Sequence, residues 1–224
     1  MGDTKITIAV DGPSGAGKSS LSKLAAKEFG LAYVDTGAIY RTVALSALRG
    51  GFGDDDVSRL LDGLRIDVLY DENGQQQMLL NGEDVTGLLR SEEVSREASR
   101  FSVFAEVRDF LTDTQRNIAR ENDVIMEGRD IGTVVLPNAG LKIFITADSE
   151  ERARRRYLEL VEAGAEPNFD EVLKNLIERD EQDSRRDVAP LKAAPDAILL
   201  DTTGKTFEES AEMLFTAIRG RFEI

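Results

Sequence analysis

The chain contains no cysteine, no histidine and no tryptophan. Without thiols there is no disulfide framework and no thiolate metal site. Without imidazole there is no Ser-His or Cys-His nucleophile pair. Any metal bound here must be a hard cation held through oxygen, as Mg²⁺ is in nucleotide sites. Positive charge is also scarce: 28 Lys and Arg against 42 Asp and Glu leave a formal charge of −14. That argues against nucleic acid as a partner, because duplex binding needs a basic face. An anionic small molecule would have to be met by local clusters of arginine. No apolar run reaches the length of a membrane span. Residues 6–10 are too short for a signal h-region and no cleavage pattern follows them, so a soluble, cytoplasmic protein with no membrane partner is expected. Repeats and low-complexity tracts are absent as well. What is present is 224 residues, 41% of them hydrophobic. That is enough for one large α/β domain with an insertion, and a tight fit for two independent domains.

The strongest signal is Gly12-Pro13-Ser14-Gly15-Ala16-Gly17-Lys18-Ser19. An apolar run at 6–10 precedes it, and Leu21, Leu24, Ala25 and Phe29 follow at helical spacing. Strand, glycine loop and helix in that order are the context that turns G-x-x-x-x-G-K-[ST] from a chance match into a P-loop. The glycines let successive N–H groups point inward at a polyphosphate, Lys18 adds a mobile charge, and the helix N-terminus adds its partial positive charge. Ser19 is the expected Mg²⁺ ligand, and Ser20 extends the predicted ATP contacts.

Further along, the pattern alternates between short buried strands and helices. The first helix ends at Gly30. A strand at 32–34 leads into Asp35-Thr36-Gly37-Ala38-Ile39-Tyr40-Arg41, and a helix is predicted from Ala38 to Gly50-Gly51. Taken alone, Arg41 would be a solvated charge; its position just past a strand end places it where parallel sheets carry their ligand cleft. Between roughly 53 and 90 the character changes. A short helix at 57–64, an alternating run at 65–70, the turn Asn73-Gly74, a return strand at 77–80 and the turn Asn81-Gly82 read as an antiparallel meander. Ser91 caps a helical region whose apolar stripe runs through Val107, Phe110, Leu111, Thr114 and Ile118. The strand at 124–126 ends in Glu127-Gly128-Arg129-Asp130. The strand at 141–146 leads to a helix opened by Asp148 and Glu151 and carrying Arg152, Arg154, Arg155 and Arg156. Arg152, Arg155 and Arg156 share a face and are candidate phosphate contacts. A second charged helix bears Arg179, Asp183, Arg185 and Arg186. Two polar, arginine-rich helices predict a mobile lid. A strand at 197–200 and a helix capped by Thr206 and Glu209 close the chain. The predicted fold is α/β: a P-loop NTPase fold with a five-stranded parallel sheet and helices on both faces, a small antiparallel insertion and a helical lid.

The arginines select the chemistry. No N-K-x-D motif is present for a GTPase. A P-loop with several cleft-edge arginines suits two phosphorylated substrates facing each other. A phosphate acceptor needs no general base, since its second pKa lies near ~6. The lack of histidine is then no obstacle.

Four stretches together resemble the bacterial cytidylate kinase family: Asp11 to Ser19, Asp35 through Arg41, Glu127 through Thr133, and Arg179-Asp180 through Ala189-Pro190-Leu191. The resemblance runs in order over essentially the whole chain and includes the inserted meander. It implies transfer of the γ-phosphate of MgATP to CMP or dCMP by a single domain over residues 1–224. An NMP-binding region at about 36–120, with the insertion at about 53–90, and a lid at about 152–190 are implied with it. It assigns Arg41 and Arg129 to the acceptor phosphate, Ser99, Arg108 and Asp130 to the cytosine edge, and Arg179, Asp183 and Arg186 to ribose and phosphate, with Lys18, Arg41, Arg129, Arg179 and Arg186 catalytic. Thr36 stands where this family commonly has Ser, and Ser20 where it commonly has Thr; both keep a hydroxyl. A monomer is expected. Two alternatives stay open: another small P-loop kinase acting on UMP, AMP or a non-nucleotide acceptor, which should lack the Ser99, Arg108, Asp130 set, and a nucleotide-binding switch without turnover.

Overall fold

The computed structural model describes residues 5–72 and 74–223. The predicted turn residue Asn73 lies outside them. In chain order the regular elements begin with β1 (Thr7–Asp11), α1 (Lys18–Phe29), β2 (Ala32–Asp35), α2 (Thr36–Gly50) and α3 (Val57–Leu61). There follow β3 (Ile66–Tyr70), β4 (Gln76–Leu80), β5 (Glu83–Asp84), α4 (Glu92–Phe101), α5 (Ala105–Glu121) and β6 (Val124–Glu127). The chain closes with β7 (Leu141–Thr146), α6 (Ser149–Glu162), α7 (Phe169–Ser184), β8 (Ile198–Asp201) and α8 (Phe207–Phe222). They fall into two compact units, one made of the chain up to Leu31 and from Asp123 onward, the other of Ala32–Asn122.

In the first unit β6, β1, β7 and β8 lie side by side, all parallel. With β2 the parallel sheet has five strands, as the apolar runs predict. Ile8, Ala9, Val10, Val124, Ile125 and Met126 are fully buried. Strands covered on both faces need such continuous apolar runs rather than alternation. The registers Val10↔Glu127 and Asp11↔Phe144 bring the C-terminal ends of β1, β6 and β7 level. The residues that follow those ends are therefore delivered to one edge of the sheet. Helix α8 is started by a reciprocal cap in which Thr206 Oγ accepts the Glu209 N–H at 3.1 Å and Glu209 accepts the Thr206 N–H at 2.8 Å. It packs on α1 and β8 through a face that includes the buried Leu214 and Ile218.

The second unit holds the meander. Strands β3 and β4 pair antiparallel with Val68 opposite Met78, and β5 adds to β4. Asn81 and Gly82 turn the chain between them with φ of 52° and 87°. Three details differ from the sequence expectation. Helix α2 starts at Thr36 rather than Ala38, because Asp35 Oδ1 accepts the Ala38 N–H at 3.0 Å and caps the helix two residues earlier. The helical region after Ser91 is two helices, α4 and α5, with a break at Ser102 to Phe104. The buried face of α5 is Val107, Arg108, Leu111, Gln115 and Ala119, so the stripe is rotated away from Phe110, Thr114 and Ile118.

Among the described residues no helix is long and apolar enough to cross a membrane.

Candidate active site

The loop from Gly12 to Gly17 joins β1 to α1. At Gly12, φ is +146° and a Cβ would stand 1.9 Å from the Ile145 carbonyl oxygen. Only glycine lets the loop lie this close to β7. Gly17, at φ +85°, delivers the chain into α1. Lys18 is buried at the first turn of that helix, and its Nζ donates to the Pro13 carbonyl at 2.7 Å. Burial, then the charges of Arg129 and Arg179, pull its pKa down to about 7, against the opposing pull of Glu127 and Asp11. A lysine, two arginines and a helix N-terminus therefore converge on one place, which is the electrostatics of a polyphosphate site. Ser19 and Ser20 are exposed beside it.

Asp11, the last residue of β1, fastens a second loop to this one. Its two carboxylate oxygens accept the backbone N–H groups of Ile131 and Gly132, each at 2.7 Å. Burial pushes its pKa up to about 6, although those two N–H groups favour the ionised form. The anchored loop carries Arg129 and Asp130. Asp130 is buried, and its carbonyl accepts the N–H groups of Val134 and Val135, which open a π-helical turn over Ile131–Val135.

Arg129 meets the end of α7. Its Nε donates to Asp183 Oδ2 at 2.9 Å, and Arg186 donates to Asp183 Oδ1. Burial alone would raise the Asp183 pKa, but Arg129, then Arg186, outweigh it and hold the carboxyl below its usual range. Arg179 adds to the same field and to that around Lys18. The structure thus brings Lys18, Arg129, Asp130, Arg179, Asp183 and Arg186 together. The Nε of Arg186 is buried without a hydrogen-bond partner among the described residues, a donor left over after Asp183 is satisfied.

The arginines of α6 have different surroundings. Arg152 is buried; its Nε donates to the Ala147 carbonyl at 2.8 Å and its Nη1 to the Ser14 carbonyl at 3.0 Å. Arg155 grips Thr202 through the hydroxyl and the carbonyl, at 3.0 and 2.9 Å. Arg156 is half exposed and pairs with Glu159. The start of α6 also departs from the expected box: Asp148 caps the N–H of Glu150, and Glu151 turns to Arg155.

In the second unit Thr36 is buried at the start of α2. Arg41 Nη2 donates to Asp35 Oδ2 at 2.8 Å, and its buried Nε has no hydrogen-bond partner among the described residues. Ser99 and Arg108 are linked through the break between α4 and α5. The Ser102 hydroxyl donates to the Ser99 carbonyl at 2.8 Å, and Arg108 Nη1 donates to the Ser102 carbonyl at 3.3 Å. The Arg108 guanidinium also lies 5.9 Å from the centre of the Tyr40 ring. Ser102 and Tyr40 therefore contact the predicted residue Arg108, and Thr202 contacts Arg155. No motif marks them, because a hydroxyl, a backbone carbonyl or a ring face used at such a contact is not displayed by a sequence.

The cytidylate kinase family model matches residues 8–220. The chain is 45% identical over 218 residues to the cytidylate kinase of Geobacter sp. (strain M21), covering 96% of this chain and 94% of that protein. It is 48% identical over 210 residues to that of Caldicellulosiruptor saccharolyticus, covering 92% of each. Among solved structures, an uncharacterized protein from Eubacterium ventriosum aligns over 97% of this chain and 100% of its own, with a TM-score of 0.55 at 13% identity, which is a likeness of fold. On the match to nearly its whole length, the chain belongs to the cytidylate kinase family.

Proposed function

We propose that the protein transfers the γ-phosphate of ATP to CMP or dCMP, releasing ADP and CDP or dCDP. The observation that carries this reading is the buried Lys18 flanked by Arg129 and Arg179 at the mouth of a glycine loop. Such a convergence of cations is stabilised by a chain of phosphates and by little else.

The backbone of residues 12–17 and Lys18 hold the ATP phosphates. A bound Mg²⁺ would take Ser19 as its protein ligand. The donor set fits: Ser19 is an exposed hydroxyl on the first turn of α1, and the described residues hold no cluster of three or more carboxylates able to bind a metal unaided. Mg²⁺ suits a site where water and phosphate supply most ligands. Its chemistry there is to neutralise charge on the phosphates.

Arg41 and Arg129 hold the acceptor phosphate, and Arg179 and Arg186 spread charge away from the transferring group. One acceptor oxygen forms the new bond to the γ-phosphorus as the bond to the β,γ-bridging oxygen breaks. The acceptor is already ionised, so no proton has to be removed by the protein. Thr36 and Asp183 meet the ribose side. Asp130 accepts from the cytosine amino group while Arg108 and Ser99 face its acceptors, a pattern that uracil cannot satisfy. Residues at about 36–120 serve the acceptor and those at about 152–190 close over the phosphates, in a protein that works as a soluble monomer.

The test is ADP production with MgATP and CMP, dCMP, UMP, AMP, GMP or shikimate. Turnover concentrated on CMP and dCMP is expected. Preference for AMP or shikimate would overturn the cytosine assignment, and no turnover with any acceptor would favour a nucleotide switch.

A further inference from the structure

The proposed chemistry leaves the antiparallel insertion without a task, yet one of its side chains reaches the residue that holds Arg41. Gln76, the first residue of β4, forms a reciprocal pair with the backbone of Asp35 at the end of β2. The Asp35 N–H donates to Gln76 Oε1 at 2.7 Å, and Gln76 Nε2 donates to the Asp35 carbonyl at 3.2 Å. One amide side chain thus satisfies both backbone groups of Asp35, as a residue on a neighbouring strand would. It fixes the peptide planes on either side of the Asp35 Cα.

The Asp35 side chain starts from that fixed Cα. Its Oδ1 accepts the Ala38 N–H and its Oδ2 accepts Arg41 Nη2 at 2.8 Å. Gly37 completes the enclosure: a Cβ there would lie 2.9 Å from Arg41 Nη1 and 3.0 Å from Asp35 Oδ1. The guanidinium is therefore held on one edge by Asp35 and given room by Gly37. Its buried Nε–H has no hydrogen-bond partner among the described residues and is available to an anion. Rotation of the Asp35 backbone would swing its carboxylate and carry Arg41 with it. A displacement of about 1 Å in such a clamp can cost up to ~10²-fold.

We propose that Gln76 is a positioning residue for Arg41, acting through Asp35, and that the insertion thereby sets the affinity for the phosphate of the acceptor nucleotide. This rests on the reading of Arg41 as an acceptor-phosphate ligand. The experiment is steady-state kinetics on Gln76→Met, which keeps the length and loses both hydrogen bonds to Asp35 together with the one Nε2 donates to Met78 Sδ, and Gln76→Glu, which keeps an acceptor for the Asp35 N–H but no donor. Each is also combined with Arg41→Lys, with melting temperatures recorded for all. Losing a pair of hydrogen bonds worth about 1 kcal/mol each predicts a rise in KM for CMP of roughly 5- to 30-fold in Gln76→Met, with KM for ATP unchanged. Gln76→Glu should fall between it and the parent, and neither substitution should add to the defect of Arg41→Lys. Equal loss for ATP and CMP, a lowered melting temperature with unchanged KM, or full additivity with Arg41→Lys would overturn the proposal. If Arg41→Lys itself left KM for CMP untouched, the reading of Arg41 would fall and the proposal with it; an Arg41→Lys defect with silent Gln76 variants would remove the positioning role alone. Should Gln76→Met fail to fold, Gln76→Glu supplies the same comparison.

Discussion

Arg152 and Asp180 form an ion pair of 2.6 Å that joins α6 to α7, and the same Arg152 nitrogen donates to the Ser14 carbonyl in the phosphate loop. The sequence offers Arg152 as a phosphate contact. Its observed bonds make it a tie between the loop, the end of β7 and α7. Arg152→Ala leaves Asp180 in a largely buried place without its cation, a loss on the order of 3 kcal/mol. In a double-mutant cycle with Asp180→Ala, measured by urea unfolding, the two losses should be clearly less than additive. ATP affinity should fall in Arg152→Ala, because Ser14 loses its tether, and Arg156→Ala should leave it unchanged.

Lys18 sets function against stability. Its ammonium is disfavoured where it sits, first by burial and then by Arg129 and Arg179, which is what a pKa lowered to about 7 means. Replacement by Met keeps the stem and removes the charge. The expected outcome is a melting temperature equal to or above that of the parent, together with a loss in kcat on the order of 10²–10³. Scanning calorimetry and the coupled ADP assay on the same preparation check both halves.

Asp183 binds Arg129 and Arg186 to each other, and its depressed pKa carries a definite sign. A carboxyl held below its unfolded value contributes stability above that value, near 3.8, and loses it as pH falls through the folded pKa. Asp183→Asn should therefore be less stable than the parent at pH 7. The two urea-unfolding curves should converge below about pH 4. At pH 7 the same variant should show a raised KM for CMP, since both guanidinium groups lose the anchor that orients them.

How much of this could be read in the sequence depends on the range of the interaction. The P-loop, the buried strands and the caps at Asp148, Thr206 and Ser91 are local patterns, and the strand predicted at 141–146 is observed as Leu141–Thr146. The start of α2 lies two residues before the predicted Ala38 because the Asp35 side chain caps the helix. The face of α5 differs from the predicted stripe because Phe110 and Ile118 are apolar, whereas Arg108 and Gln115 occupy the buried side. Polar residues go inside there for reasons that periodicity weighs wrongly: Arg108 is held by the Ser102 carbonyl and lies over Tyr40. The bonds joining Asp11 to Gly132 and Gln76 to Asp35 span 121 and 41 residues, and no spacing rule reaches that far.

Asp11 offers the sharpest pH test. Its folded pKa, about 6, lies above the ordinary 3.8 because burial outweighs the two backbone N–H donors. Between those values the native protein binds more protons at this site than the unfolded chain. Stability contributed by Asp11 therefore falls as pH rises from about 4 to about 6, a change on the order of 3 kcal/mol. Asp11→Asn removes that slope, so the difference between parent and variant unfolding free energies should vary across pH 4–6 and be flat above about 7. The amide oxygen can accept only one of the two N–H groups well, and its NH₂ faces the other, at a cost of about 1–3 kcal/mol. The relief of the buried charge offsets that cost, so the variant should stay folded at pH 7. What it loses is the grip on the loop bearing Arg129 and Asp130, and kcat should drop about tenfold or more, as positional errors do. A variant with full activity and an unchanged pH slope would show that this carboxylate neither titrates in the window nor holds the loop in place.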